Sequence, residues 1–358
     1  MTVRLRSALA ALPAYAPGRT VPGAVKLASN ELPFPTLPVV AEAVAAAAAG
    51  DAARGLNRYP DNGATALVRL LGERLGQDTE RIIVGCGSVA LCQQLVQAVA
   101  GEGDEVLFGW RSFEAYPIVT EIAGARPVRV PVTAGQALDL DALAAAVTPR
   151  TRLVYVCTPN NPTGTTVAAA ELERFLDRVP DDVLVAVDEA YREFDVEPGS
   201  PDGVEVASRR SNVVALRTLS KAYGLAGLRV GYAVGDPAVV QALGKVAVPF
   251  AVNLLAQAAA VAALGAEEEL RPRWAAVVRE RERVTEDLRE LGYDVPTSQA
   301  NFVWLPLADA ALDFAGHAEQ HGVIVRAFGG PGGGVRVTVG APAENDLFLA
   351  AARSYPGR

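Results

Sequence analysis

The chain has 358 residues, half of them hydrophobic, which is enough for one large core and a second, smaller one. Its 33 basic and 41 acidic residues give a net charge of −8 without a basic cluster, which argues against nucleic acid and anionic membranes as partners. The three cysteines lie in apolar surroundings without metal-ligand spacing, so we expect reduced thiols and a cytoplasmic protein.

Residues 1 to about 37 are rich in proline and irregular, which predicts an arm lying over another part of the molecule. The apolar stretch after Arg4 and Arg6 is short and broken by Pro13, so we do not expect a signal peptide. No window approaches the ~18 uninterrupted apolar residues that a membrane helix needs, so no membrane span is expected.

Beyond the arm, an alanine-rich helix is predicted over about 37–49 and another over 65–75, with the turn sequence NRYPDNG between them. Strand-like and helical segments then alternate. The strand-like runs are 81–84, 105–108, 126–130, 152–158, 183–187 and 213–219. Runs so rich in Val, Ile and Leu are typical of strands covered on both faces, and their alternation with helices predicts an α/β fold with a mostly parallel sheet.

The alternation weakens after residue 236, where helices are predicted over 237–263 and one long, exposed helix over 271–291. Strand-like runs at 302–305 and 335–339 flank a helix at about 309–320, which indicates a small α+β domain. We therefore predict an arm and the start of the small domain at 1–45, a large domain at 46–240 and the small domain at 241–358. The glycine loop 329–334 lacks the Lys-Ser/Thr of a P-loop and is predicted to be a mobile connection.

Polar or aromatic groups follow five of the strand-like runs. They are Gly85-Cys86-Gly87-Ser88, Trp110 with Phe113, Asn160-Asn161, Asp188 with Tyr191, and Ser220 with Lys221. Ligands of open α/β sheets bind beyond the carboxyl ends of the strands, so this convergence predicts a ligand site.

The glycine turn is either a tight connection or a phosphate cup made by backbone N–H groups at a helix N-terminus. Gly85, Gly87 and Ala90 also fit G-x-G-x-x-A, with Glu105 about 20 residues beyond Gly85, as in dinucleotide-binding folds. In such a site the acidic residue lies at the end of the second strand, whereas Glu105 lies at the beginning of its strand-like run, so a nicotinamide cofactor is disfavoured.

Asp188 directly follows a buried-looking run, where a carboxylate without a partner would be costly. A cationic pyridinium nitrogen would supply that partner. Lys221 ends another run, and a glycine-punctuated turn carries Arg229 back toward it, which suits a Schiff-base lysine beside a phosphate. Phe113 is either a core aromatic or a plate stacked on a planar ring, and Asn161-Pro162 is either a plain turn or a rigid, cis one.

The segments NNPTG, DEAY and SKAYGLAGLRVGY, in this order and spacing, resemble the fold-type I pyridoxal-phosphate aminotransferases, in the branch of histidinol-phosphate and aromatic-amino-acid aminotransferases. KLASNELPF, NRYPD and VRVTVG extend the resemblance over nearly the whole chain. GCGSVALCQQLVQ and WRSFEAYPI are more similar to bacterial aromatic, or phenylalanine, aminotransferases. Many relatives have a proline-led segment where this chain has Trp110-Arg111-Ser112-Phe113.

The resemblance implies pyridoxal 5′-phosphate bound through Lys221, with Asp188 on the pyridine nitrogen and Phe113 stacked on the ring. Asn161 and Tyr191 would contact the ring hydroxyl. Phosphate contacts are implied for Gly87, Ser88, Ser220, Arg229 and, from a second subunit of a homodimer, Tyr59. Arg336 would hold the substrate carboxylate. Arg326, in VIVRAF, is expected either to make a second substrate contact or to form a surface ion pair. Tyr15 of the arm and Asn30 are further candidates for substrate contacts.

The implied activity moves the amino group of phenylalanine, tyrosine or tryptophan to 2-oxoglutarate, with Lys221 as the base that takes the Cα proton. Histidinol phosphate is the alternative substrate, because its phosphate could use Arg336 as a carboxylate does. A lyase or decarboxylase with the same cofactor is a second alternative. A non-catalytic regulatory module predicts a missing lysine or an appended DNA-binding segment, and neither is seen.

His317 and His321 lie one helical turn apart, the spacing of two zinc ligands. The zincin pattern places Glu directly after the first His, but this chain has Ala318 there. A solvated helix face is therefore predicted, and no metal site.

Overall fold

A computed structural model describes Val3, Arg6, Leu9, Leu12 and residues 18–50 and 55–357. The stretch weighed as a signal peptide lies largely outside the described residues, and so does Tyr15. A two-residue strand, β1 (Val25–Lys26), was not predicted within the irregular arm.

A seven-stranded sheet forms the centre of the molecule. Its strands are β2 (Ile82–Gly85), β3 (Glu105–Trp110), β4 (Arg126–Pro131), β5 (Thr151–Cys157), β6 (Leu184–Asp188), β7 (Val213–Thr218) and β8 (Gly231–Val234). They lie in the order β2-β8-β7-β6-β5-β3-β4, and only β8 runs antiparallel to its neighbours. The predicted mostly parallel sheet is confirmed, with β8 as a strand that the sequence analysis missed.

Helices cover the sheet. Within the described residues they are α1 (Pro38–Ala49), α2 (Thr65–Leu75), α3 (Ser88–Val99), α4 (Ala115–Ala123), α5 (Leu140–Ala145), α6 (Ala169–Leu176), α7 (Gly203–Arg209), α8 (Pro237–Val246), α9 (Leu254–Gly265), α10 (Glu267–Glu290), α11 (Ala311–Gln320) and α12 (Pro342–Ser354). None of these helices in the described part of the chain is both long and apolar enough to cross a membrane.

The strands are apolar on both faces because each face packs in a different core. Tyr155 packs with α3 and α4, whereas its strand neighbours Val154 and Val156 pack with α5, α6 and α7. Side chains of a strand alternate between its two faces, so a continuous Val/Leu run serves a sheet with helices on both sides. The carboxyl ends of these strands are left uncovered by this layering and open toward the small sheet.

The small antiparallel sheet has the order β11-β12-β9. Its strands are β9 (Phe302–Leu305), β11 (Arg326–Phe328) and β12 (Gly334–Thr338), and β1 pairs in parallel with β10 (Val323–Ile324). The long helix α10 contributes Trp274 to the core that contains α2 and α9, and Leu288 to the core of the small sheet. The domain bounds at residues 45 and 240 stay a prediction.

Candidate active site

A cavity of about 230 Å³ lies at the carboxyl edge of the large sheet. Most residues singled out in the sequence line it, and they come from the strand ends, the segment after β1 and the small sheet. They are Asn30, Ser88, Phe113, Asn161, Asp188, Tyr191, Ser220, Lys221, Arg229, Arg326 and Arg336. The predicted convergence of strand ends on one site is thus observed, while the chemical role of each residue stays a prediction.

Asp188 is the last residue of β6 and is buried. Tyr116 donates a hydrogen bond from its hydroxyl to Oδ2 of Asp188 at 2.6 Å. Oδ1 is buried and makes no hydrogen bond among the described residues. Burial raises the pKa of Asp188 to about 6, and the hydrogen bond from Tyr116 acts in the opposite direction. Such a carboxylate oxygen is ready to accept a hydrogen bond from a cationic N–H group.

Lys221 follows β7 by three residues, and its Nζ donates a hydrogen bond to the backbone oxygen of Ser29 at 3.0 Å. Burial, with a smaller contribution from the positive charge of Arg336, lowers the pKa of Lys221 to about 7. A lysine with this pKa has a substantial neutral fraction at physiological pH, and the neutral amine is a nucleophile and a base.

An anion cradle lies where α3 begins. Gly87 caps this helix with a φ of 77°, and no side chain caps the first backbone N–H groups. A Cβ on Gly87 would lie 2.5 Å from Nη2 of Arg229, so the guanidinium packs directly on this glycine. Arg229 also donates to Oγ of Ser220 at 3.3 Å. A helix N-terminus, a hydroxyl and a guanidinium together suit a phosphate.

Arg336 of β12 reaches the cavity from the small sheet. Its Nη1 donates to Oδ1 of Asn161 at 2.6 Å, which leaves the Asn161 amide nitrogen to donate to another group. The Asn161-Pro162 peptide bond is cis, so of the plain turn and the rigid, cis turn that the sequence allowed, the structure has the cis turn. Asn30 donates to the hydroxyl of Tyr191 at 2.9 Å, and burial raises the pKa of that hydroxyl, so it keeps its own proton for donation.

Phe113 and Trp110 were the two aromatic groups expected at the ligand edge of the sheet, with Phe113 on the ring. Phe113 lines the cavity and lies edge-on to Tyr116, with ring centroids 5.5 Å apart. Trp110 packs on Phe108 at 6.1 Å and does not line the cavity. The geometry therefore favours Phe113 as the aromatic residue nearest a bound ring.

Arg326 was predicted either to contact substrate or to form a surface ion pair. It lies opposite Arg336 in the pairing of β11 with β12 and lines the cavity. Its Nη2 also lies 2.8 Å from Oε2 of Glu114, which lines the same cavity. Glu114, Phe328 and Cys157 are lining residues that the sequence analysis did not single out.

Two further positions singled out in the sequence, Tyr59 and His317, lie outside the cavity lining. Tyr59 is 82% exposed, stacks on Phe250 with centroids 4.5 Å apart and does not line the cavity of its own chain. His317 is not on a fully solvated face, because it packs on Tyr355 at 5.4 Å. No group of three or more metal-ligating side chains occurs among the described residues, including the two histidines.

Tyr116 is the most important residue that the sequence analysis missed. It lies within WRSFEAYPI, one turn after Phe113, but a tyrosine in an apolar helix is usually a core residue. The requirement that a buried Asp188 have a donor was the available signal.

Pyridoxal phosphate, the cofactor implied by the sequence resemblance, fits these residues. The anion cradle suits its phosphate, and Oδ1 of Asp188 is free to accept from its ring nitrogen. The amine of Lys221 lies in the same cavity as both.

Comparison with known proteins agrees with this geometry. The family model of aminotransferase class I and II matches residues 22–351. The aromatic amino acid aminotransferase of Rhodococcus jostii is 58% identical over 358 residues, covering 100% of this chain and 98% of that protein. The protein of the same name from Streptomyces coelicolor is 55% identical over 356 residues, covering 98% and 97%.

Solved structures share the fold. The histidinol-phosphate aminotransferase of Sinorhizobium meliloti in complex with pyridoxal-5′-phosphate is 29% identical, with a TM-score of 0.87 over 99% of this chain and 97% of that one. The aspartate aminotransferase of Thermus thermophilus with maleate is 26% identical, with a TM-score of 0.79 over 92% and 91%. The site agrees with this family, because a lysine, a buried aspartate and an anion cradle surround one cavity. The family model matches the chain from near its beginning to near its end, and the protein therefore belongs to the class I and II aminotransferases.

Proposed function

We propose that this protein is a pyridoxal-phosphate-dependent aminotransferase that moves the amino group of phenylalanine, tyrosine or tryptophan to 2-oxoglutarate. The observation that carries the proposal is the 54–58% identity, over nearly the full chain, to proteins named aromatic amino acid aminotransferase. The histidinol-phosphate aminotransferase of Sinorhizobium meliloti is 29% identical, although its fold is the same.

The bound cofactor supplies an electron sink for the negative charge that develops at the substrate Cα atom. Asp188 would hold the proton of the ring nitrogen through Oδ1. The cradle of Gly87, Ser88, Ser220 and Arg229 would bind the phosphate. Lys221 would remove the Cα proton with Nζ, and its lowered pKa keeps the required neutral amine present at neutral pH.

Arg336 would bind the α-carboxylate of the substrate. A carboxylate held in this way leaves the Cα–H bond, rather than the bond to the carboxylate, in position to be broken, which favours transamination over decarboxylation. Measuring keto acid against CO₂ and ammonia separates these reactions. Release of CO₂ or ammonia in proportion to substrate consumed would contradict the proposal.

The far wall of the cavity suits an uncharged ring. Phe328 lies between Arg326 and Arg336, with its centroid 5.5 and 5.7 Å from the two guanidinium carbons. The carboxylate of Glu114 offsets the charge of Arg326, with Oε2 of Glu114 2.8 Å from Nη2 of Arg326. A neutral aromatic side chain would meet an aromatic surface there, whereas a phosphate would meet the carboxylate of Glu114 as well as the arginine.

The decisive experiment compares kcat/KM for phenylalanine, tyrosine and histidinol phosphate with 2-oxoglutarate as acceptor. Phenylalanine or tyrosine is expected to be preferred. A preference for histidinol phosphate of more than about tenfold, roughly 1.4 kcal/mol of transition-state discrimination, would overturn the assignment.

We also propose a homodimer in which Tyr59 contacts the phosphate cradle of the other subunit. Tyr59, Val248 and Phe250 are exposed aromatic and apolar side chains, and such side chains often belong to interfaces. Light scattering should give twice the chain mass, and Tyr59→Ala should weaken cofactor binding, whereas a monomer that binds cofactor fully would contradict this.

A reducing cytoplasm suits Cys86, Cys92 and Cys157, which form no disulfide in the structure.

A further inference from the structure

Tyr116 is packed between Phe113, which lines the cavity, and Tyr155 of the large sheet. It is fully buried, and its ring stacks on Tyr155 of β5 with centroids 4.2 Å apart and planes 7° from parallel. Phe113 meets it edge-on at 89°. The hydroxyl of Tyr116 is thereby aimed at Oδ2 of Asp188, 2.6 Å away.

Asp188 has no cationic partner among the ion pairs of the described residues. The next residue along the chain, Glu189, pairs instead with Arg217, whose Nε lies 2.9 Å from Oε2 of Glu189. The groups that face Asp188 from β5 and α3 are uncharged, because burial raises the pKa of Cys157 to about 12 and that of Cys92 well above its usual value. The hydroxyl of Tyr116 is therefore the one side-chain donor to this carboxylate in the described part of the chain.

The hydrogen bond has two effects on the carboxylate. It occupies Oδ2, which leaves Oδ1 as the acceptor facing a ligand. It also stabilises the charged form of Asp188, in opposition to burial. An aspartate that is less basic than the ring nitrogen leaves the shared proton on nitrogen, where it makes the ring the stronger electron sink.

We propose that Tyr116 is a positioning residue that acts through Asp188: its hydroxyl orients the carboxylate and keeps it ionised, so that the proton resides on the cofactor ring nitrogen rather than on Oδ1. The inference rests on the proposed use of pyridoxal phosphate. Because Phe113 and Tyr116 share one short segment and one ring contact, the same local packing positions the residue beside the ring and the acid at its nitrogen.

Tyr155 provides a matched control. It is the other ring of the stack, it is equally buried, and its hydroxyl donates to the backbone oxygen of Cys92 at 2.7 Å rather than to Asp188. Tyr116→Phe and Tyr155→Phe each remove one buried hydroxyl from the same stack. Only the first removes a donor to the carboxylate.

The experiment loads each protein with pyridoxal phosphate labelled with ¹⁵N in the ring and records the nitrogen resonance at neutral pH. The wild-type signal is expected at the position of a protonated pyridinium. Tyr116→Phe should move it toward neutral pyridine, and Tyr155→Phe should leave it in place. The single-turnover rate with phenylalanine should fall about tenfold in Tyr116→Phe, with little change in the substrate concentration giving half the maximal rate.

An unmoved nitrogen signal in a folded, loaded Tyr116→Phe protein would overturn the inference, as would an equal shift in Tyr155→Phe, which would indicate packing rather than the hydrogen bond. If Tyr116→Phe does not fold, 4-aminophenylalanine at position 116 replaces it. Its amine is a weaker donor than the phenol hydroxyl and should move the signal part of the way toward neutral pyridine, and an unmoved signal refutes the role of Tyr116. Failure of the wild-type protein to bind the cofactor would instead contradict the proposed function.

Discussion

Arg336 donates a hydrogen bond to Asn161 at 2.6 Å, which joins a strand of the small sheet to the turn after β5 of the large sheet. The other terminal nitrogen of Arg336 donates to the backbone oxygen of Ala28 at 2.8 Å. These two contacts orient the guanidinium before substrate arrives. The residue expected to hold the substrate and one expected to hold the cofactor ring are thus positioned by a single contact.

Replacing Lys221 by alanine should abolish catalysis, with a fall in kcat of at least about a thousandfold. The reason is that none of the other described residues lining the cavity has a side-chain amine that could act as the base in place of Lys221. Borohydride reduction of the loaded wild-type protein should attach the cofactor at Lys221, as peptide mapping by mass spectrometry will show. Lys245→Ala, at an exposed site in α8, is the control and should retain activity. Label on any other lysine contradicts the assignment.

Cofactor loading should depend on pH through Lys221. Its pKa is lowered to about 7, so the neutral, nucleophilic amine becomes the major form as pH rises through that value. The rate at which the cofactor-free protein takes up pyridoxal phosphate, followed by absorbance, should increase with pH and level off above about 8. A rate that still climbs toward pH 10 would indicate a lysine with an ordinary pKa.

Asp188→Asn should stabilise the cofactor-free protein while impairing catalysis. The pKa of Asp188 is raised to about 6 from 3.8, so the folded protein binds the proton more tightly than the unfolded chain. Wild-type stability should therefore fall as pH rises from about 4 to 6 and stay low above that range. At pH 7 the free energy of unfolding measured in urea should be larger for the variant than for the wild type by up to about 3 kcal/mol. The advantage should shrink near pH 4, and a pH-independent difference would contradict this account.

Gly87→Ala should disrupt the anion cradle. The added Cβ would lie 2.5 Å from Nη2 of Arg229, and a φ of 77° strains any residue with a side chain. The dissociation constant for pyridoxal phosphate, measured by fluorescence titration, should rise about tenfold or more. Gly101→Ala is the control, because a Cβ there meets nothing within 4 Å. Equal affinities in the two variants would argue against a phosphate at Gly87.

Glu114→Gln should relax the preference for uncharged side chains by freeing Arg326 from its ion pair. The ratio of kcat/KM for histidinol phosphate to that for phenylalanine should increase about tenfold. Glu121→Gln, in α4 but outside the cavity lining, should leave the ratio unchanged. A ratio that Glu114→Gln does not alter would show that Arg326 does not contact the substrate side chain.

Several predictions from the sequence were confirmed in detail, such as α2 at Thr65–Leu75 and β9 at Phe302–Leu305. The four-residue strand β8 was missed because it follows a glycine-rich turn and runs antiparallel between β2 and β7. Tyr15 lies outside the described residues, and the expected contact of Tyr59 with a second subunit stays a prediction.

The sequence by itself determined the parallel sheet and the edge at which Asp188 and Lys221 meet, because apolar runs and the residues that end them are local features of the chain. Only the tertiary structure decided which atoms pair. Tyr116 and Asp188 are 72 residues apart, and Glu114 and Arg326 are 212 residues apart. Pairing over such separations depends on how helices and the small sheet pack on the large one, and no local pattern in the chain encodes it.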